Sequence, residues 1–182
     1  MTFDQLQHAI RAACGVAEDT EVIVFGSQAI LGSFPNAHHE LRQSIEADVV
    51  PKNFPDRADL IDGSLGELSQ FHHTHGFYVH GLQIEAATLP EGWANRTVKV
   101  ETPATDGKIG WCIEGHDLAA SKLVAFREKD REFVRVLMRE KYVDSITLKT
   151  RIQELAVDSE RKERLLKWVG LTQRDLESSK KS

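Results

Sequence analysis

The stretch Phe25–Val50, "FGSQAILGSFPNAHHELRQSIEADVV", decides how the rest of the chain is read. Upstream of it, "EVIVFG" (21–26) is a short β-branched run stopped by glycine, which is the pattern of a buried strand. "SQAILGSF" follows with a polar residue and then small and apolar ones, the pattern of a helix docked on a sheet. A strand that turns into a helix at Gly26-Ser27 offers backbone N–H groups and a small hydroxyl to a phosphate. Further on, "IEADVVP" (45–51) alternates, so Glu46 and Asp48 fall on one face and Ile45, Ala47 and Val49 on the other, with Pro51 ending the run. If the two strands are neighbours, the carboxylates lie beside the phosphate cradle. Two unit charges about 4 Å apart repel by about 4 kcal/mol at an effective dielectric near 20, so paired acids want a cation. Mg2+, or Mn2+ in its place, is the oxygen-seeking ion held by carboxylates together with substrate phosphates.

Outward from this stretch, residues 3–14 have the spacing of an amphipathic helix, and "DRADLIDGSLGELSQ" (56–70) that of a second, shorter one. "GFYVHGLQIEAATLP" (76–90) reads as a β-hairpin turning near Gly81. Glu85 then lies in mid-strand among apolar neighbours, a costly place for an acid without a partner, and it is the expected third carboxylate of a metal site. "RTVKVET" (96–102) and "GWCIEG" (110–115) are two further strands. From residue 116 the chain reads as helical almost to its end, where only "SSKKS" has the composition of a disordered tail. The expected architecture is therefore α/β (α+β), a mixed sheet with flanking helices over 1–115 followed by a helical region over 116–182.

At 182 residues, 41% hydrophobic and 28% charged, the composition is that of a globular protein. No apolar run approaches the roughly 20 residues of a membrane span, and the first 15 residues lack the basic start and long apolar stretch of a signal peptide, so a cytoplasmic location without membrane attachment is expected. Cys14 and Cys112 stand far apart and outside any CxxC pattern, which argues for buried thiols. Charge divides unevenly: residues 1–117 hold 7 Lys/Arg against 17 Asp/Glu, and residues 118–182 hold 16 against 11. An acidic, metal-binding half and a basic half that meets phosphate or RNA would produce that asymmetry; solvated helix faces would produce it equally.

A Gly-Ser turn, an [DE]-x-D strand and a later strand acid together resemble the nucleotidyltransferase superfamily with its polymerase-beta-like palm, as in minimal nucleotidyltransferases. The fuller pattern, with "GSQAILGSFP", "SIEADVVP", "ADLIDGSLGELSQFHHTHGFYVHG" and "GWCIEGHDLAASKLVAFREKDREFV", resembles a bacterial branch related to AbiEii-type toxins, over about residues 20–150. The resemblance implies that Gly26 and Ser27 bind the phosphates of an NTP and that Glu46, Asp48 and Glu85 hold the metal. It further implies that Lys122 reaches the triphosphate with Asp130 as the acid that follows it; eight residues apart on one helix, the two would share a side. The activity implied is transfer of a nucleoside monophosphate to an acceptor hydroxyl, with tRNA or a protein as acceptor and an antitoxin protein as partner. Two features depart from the family pattern: the first acid is Glu46 where aspartate is usual, and "FPNAHHELRQ" lengthens the link between Ser27 and Glu46.

Two other functional classes fit the same residues. A relative that binds nucleotide without turning it over would keep Gly26-Ser27 and the acids. A nucleic-acid-binding module would use the basic helix "REKDREFVRVLMREK", although its Glu and Asp at i,i+4 spacing can pair with the basic residues internally. His72, His73, His75 and His80, with His38-His39 upstream, invite a zinc site, but no Cys pattern or HExxH helix accompanies them. His72 is kept as a neighbour of the active site, because its segment leads into the strand expected to carry Glu85.

Overall fold

A computed structural model describes residues 1–179. In chain order the elements are α1 (Phe3–Ala17), β1 (Glu21–Phe25), α2 (Ile30–Ser33), β2 (Glu46–Pro51), α3 (Ala58–Leu65), α4 (Gln70–His75), β3 (Tyr78–Gly81), β4 (Val98–Val100), β5 (Ile109–Cys112), α5 (Gly115–Ala125), α6 (Glu128–Arg139), α7 (Ser145–Gln153) and α8 (Ser159–Ser178), with short 3-10 turns between them. Two compact units result. The first comprises Met1–Ala87 with Ala94–Glu114, and the second comprises Thr88–Trp93 with the chain from Gly115 onward. Of the "SSKKS" segment, Ser178 ends α8, and residues 180–182 lie outside the described residues.

The first unit is built on a five-stranded mixed sheet in the order β3-β2-β1-β5-β4. β1 runs antiparallel to β2 and parallel to β5, while β2 and β3 are parallel. Val24 pairs with Val49 on one side and Cys112 on the other, so one pleat face is apolar across three strands. Two glycines show how closely helices approach that face. A Cβ on Gly110 would overlap the side chain of Ile10 of α1, and one on Gly32 of α2 would stand 2.5 Å from Cys112 Cβ. α1 itself begins at a capping box, Thr2 and Gln5 exchanging side-chain and backbone hydrogen bonds, and buries Leu6, Ala9, Ile10, Ala13 and Ala17 at helical spacing.

Both cysteines lie in this interior with no exposed surface, and burial pushes each thiol up to about 12. We therefore expect neither to react with a thiol-specific disulfide reagent at pH 8 in the folded protein, and both to react once urea unfolds it.

The "FPNAHHELRQ" insertion is a packed loop. Ala37 and Leu41 are buried, and the buried Gln28 side chain donates through Nε2 to Leu41 O at 3.2 Å.

One expectation is overturned between residues 76 and 90. β3 ends at Gly81, and the chain continues as a 3-10 turn over Ile84–Ala86 instead of the second arm of a hairpin. β3 is the edge of the sheet, with β2 as its neighbour. α3 packs against Gly81 so tightly that a Cβ there would overlap Ala58 O, and Gln83 Nε2 donates to Pro55 O at 3.2 Å. Glu85 is consequently an exposed residue on a turn, not an acid buried in mid-strand.

In the second unit, the single helix expected to carry both Lys122 and Asp130 is broken. Phe126 adopts φ 54°, Arg127 is extended, and α6 starts anew at Glu128. Four helices pack here around Leu118, Leu123, Val134, Leu137, Leu148, Ile152, Leu165 and Val169. A buried charge holds α5 to α7, with Asp117 fully buried and 3.1 Å from Arg151 Nε. Among the described residues no helix is long and apolar enough to cross a membrane.

Candidate active site

The pleat that sends Ala47 and Val49 into the interior sends Glu46 and Asp48 to the opposite face of β2. Register then decides their neighbours. Asp48 pairs with Phe25 at the end of β1 and with His80 of β3, and Glu46 pairs with Tyr78. Two acids, an imidazole and a phenol thus share one patch of sheet immediately beyond the point where β1 turns.

Within it, His80 Nδ1 lies 2.9 Å from Glu46 Oε1 and 3.6 Å from Asp48 Oδ1. On the other side of the ring, His80 Nε2 is 3.7 Å from Asp62 Oδ1 of α3. Each of the three side chains on the sheet is partly exposed, and one ligand atom from each of Glu46, Asp48 and His80 lies within 4.8 Å of the others. Two carboxylates and an imidazole at that separation are a donor set suited to a divalent cation. Tyr78 registers the local charge: burial pushes its phenol up, and the carboxylates of Glu46, Glu67 and Asp48 push it further, with a hydrogen bond to Glu46.

The Gly-Ser turn meets this group directly. Gly26 has φ 68° and ψ −170°, and Ser27 opens a 3-10 turn that leads into α2. A Cβ on Gly26 would overlap Asp48 Oδ2. Glycine is therefore required twice, for a left-handed φ and for the closeness of backbone to carboxylate. Replacing it with alanine is expected to displace Asp48 by about 1 Å and to lower any activity of the site on the order of 10²-fold while Ser27→Ala leaves the fold intact; activity assays alongside thermal melts of both variants check this.

Of the residues expected to form a site, the structure brings together Gly26, Ser27, Glu46 and Asp48, and adds His80. Glu85 stands outside the group. His72 lies close by, its ring 5.0 Å from that of Tyr78, and its Nδ1 accepts from Leu68 N–H at 3.1 Å. Lys122 and Asp130 belong to the second unit and sit on separate helices, α5 and α6, yet they remain paired at 3.8 Å. Asp130 is almost fully buried and also accepts from Arg127 Nε at 2.6 Å, and Lys122 lies over the Phe133 ring at 5.5 Å.

His80 is the residue that sequence reasoning passed over as a site member. The signal was present in "YVHG", which places Tyr78 and His80 on one strand face just as "EADV" places Glu46 and Asp48. A second group able to offer three ligand atoms, His38, His39 and Glu40, is formed by consecutive residues of the insertion loop.

A family model described as "Nucleotidyltransferase of unknown function (DUF6036)" matches residues 2–177. No curated protein and no solved structure matches the chain.

Proposed function

Since the chain belongs to the DUF6036 family of nucleotidyltransferases of unknown function, we propose that it moves a nucleoside monophosphate from an NTP to an acceptor hydroxyl, with a divalent metal held on β2. The observation that carries this reading is the meeting of the Gly26-Ser27 turn with Asp48, next to Glu46, on one face of the sheet. Glu46 and Asp48 are the residues that would hold Mg2+ or Mn2+, and the ion would supply charge neutralisation at the phosphate oxygens.

The remaining work falls to the chain itself. Backbone N–H groups at Gly26-Ser27 and the Ser27 hydroxyl bind triphosphate oxygens. Asp48 accepts the proton of the acceptor hydroxyl. The acceptor oxygen forms its bond to the α-phosphorus as the bond from that phosphorus to the bridging oxygen breaks, and pyrophosphate departs with the electron pair. Positioning and electrostatic stabilisation supply most of the acceleration. Lys122 and Asp130, paired within the second unit, are assigned to nucleotide binding on the resemblance of "ASKLVAFREKDRE" to AbiEii-type proteins. The same resemblance supports tRNA as the acceptor and an antitoxin protein as the partner. Glu85, exposed on its turn, has no part in the proposal.

The test incubates purified protein with each α-labelled NTP, Mg2+ or Mn2+, and total tRNA or cell lysate, with Asp48→Ala as control. Label transferred by the wild type and not by the variant supports the reading, and the labelled species identifies the acceptor class. Binding of metal-NTP without transfer to any acceptor overturns it in favour of a nucleotide-binding relative.

A further inference from the structure

We propose that His80 is a ligand of the metal centre, oriented by Asp62, and that the resulting nitrogen–oxygen site takes Mn2+ in preference to Mg2+. This rests on the reading of Glu46 and Asp48 as metal-holding residues.

Three observations lead there. First, position: β3 lies parallel beside β2 in a register that sets His80 directly across from Asp48, on the same face as both acids. Second, spacing: neighbouring ligands of an octahedral ion with bonds of about 2.0–2.1 Å stand about 3 Å apart. His80 Nδ1 stands 2.9 Å from Glu46 Oε1 and 3.6 Å from Asp48 Oδ1. With ligand atoms of Glu46, Asp48 and His80 all within 4.8 Å of one another, a contraction of less than about 2 Å brings the three onto one triangular face of such an ion and leaves the opposite face for water and phosphate oxygens. Third, orientation: Asp62 Oδ1 approaches the far ring nitrogen, Nε2, at 3.7 Å. A carboxylate that accepts a hydrogen bond from the far ring nitrogen fixes the tautomer and raises the basicity of a metal-binding imidazole; Asp62 stands just outside that distance and would close the bond on metal binding. That carboxylate is carried by α3, whose approach to β3 depends on the missing side chain of Gly81, the residue after His80.

The donor set then sets the preference. Mg2+ favours an all-oxygen shell and gives up its waters reluctantly, whereas imidazole affinity rises along the first transition series. Two carboxylates and one imidazole match an ion that accepts both donor types in octahedral geometry, as Mn2+ does. His38, His39 and Glu40 form a second group able to offer three ligand atoms, and mutants of Glu46 separate binding there from binding at β2.

The experiment uses the full chain, freed of metal, with MnCl2 and MgCl2 as probes. Calorimetry gives both affinities, and pulsed electron paramagnetic resonance of bound Mn2+ detects coupling to a ligand nitrogen. We expect nitrogen coupling in the wild type that changes when histidine is labelled with nitrogen-15, and its loss in His80→Gln and in Glu46→Ala. His80→Asp should lower the Mn2+ to Mg2+ affinity ratio by about tenfold, and Asp62→Asn should weaken Mn2+ binding by roughly 10- to 100-fold. Thermal melts accompany each variant; should His80→Gln fail to fold, the isotope-labelled wild type and Glu46→Ala still decide the matter. Mn2+ binding that depends on Glu46 and Asp48 but shows no nitrogen coupling, or an unchanged ratio in folded His80→Asp, overturns the role of His80 and leaves the proposed function standing. Absence of Glu46-dependent binding for either ion, with NTP present, overturns both.

Discussion

Asp48→Ala is expected to lower nucleotidyl transfer by roughly 10²- to 10³-fold or more while leaving a folded protein. The size of the effect follows from where Asp48 sits. Its neighbours across the sheet are the end of β1 on one side and His80 on the other, and its Oδ2 lies where a side chain on Gly26 would be. Its carboxylate packs directly against the turn proposed to bind phosphate. Removing it takes away a ligand of the metal and the acceptor of the proton in one step, so metal affinity and turnover should fall together. The fold should survive, because Asp48 is partly exposed on its face and the alternate positions of β2, Ala47 and Val49, carry the interior packing. Measuring kcat, KM for NTP and Mn2+ affinity for the same preparation, with a thermal melt as control, checks this. Retained metal affinity with lost turnover would assign Asp48 to proton transfer alone; retained turnover would remove it from the site.

Much of this site is legible in the residues themselves, for a definable reason. A strand pleat has a period of two, so "EADVV" commits Glu46 and Asp48 to one face whatever surrounds them, and a glycine after "EVIVF" marks the turn independently of context. What could not be read depends on partners distant in the chain. The alternation of "LQIEAAT" imitates a strand, but a strand needs a neighbour, and β3 is left as the edge of the sheet; Glu85 falls on a turn. His80 enters the site through parallel pairing with β2, 34 residues upstream in sequence, which no local pattern encodes. The break at Phe126 hides for a different reason. "AFREKD" contains neither glycine nor proline to mark a break, and only the observed left-handed φ of Phe126 separates α5 from α6. Lys122 and Asp130 nevertheless remain together, because the turn folds Asp130 back beneath Arg127 and within reach of the lysine.

The largest loss of stability is expected at Asp19, a residue that carries no chemistry. Its side chain is 3% exposed and gathers five N–H donors. Oδ1 accepts from Thr20 N at 2.6 Å, Glu21 N at 3.1 Å and Asn53 Nδ2 at 2.7 Å, and Oδ2 accepts from Asn53 N at 2.9 Å and Phe54 N at 3.2 Å. One carboxylate thereby ties the entry to β1 to the chain leaving β2, which sets the frame in which Gly26 and Asp48 meet. Asp19→Ala strips the acceptor from all five donors, and leaving buried donors unpaired costs about 1–3 kcal/mol each where water cannot reach them. Allowing for donors that find water, we expect a loss of about 3–5 kcal/mol at pH 7, and a melting temperature lower by roughly 10 °C. Asp19→Asn should recover part of this, since its carbonyl can still accept while its NH2 faces donors. The pH dependence has a definite sign. Burial raises the Asp19 carboxyl, but the hydrogen bonds from Asn53, Glu21 and Thr20 outweigh it and hold the group below the ordinary carboxylate value of 3.8. A depressed value stabilises the fold fully above the unfolded pKa and loses that contribution as pH falls through the folded one. The gap between wild type and Asp19→Asn in urea midpoint should therefore be constant from pH 7 down to about pH 5 and close in stronger acid. A gap that widened on acidification would mean that the protonated carboxyl, not the carboxylate, is the form the fold selects.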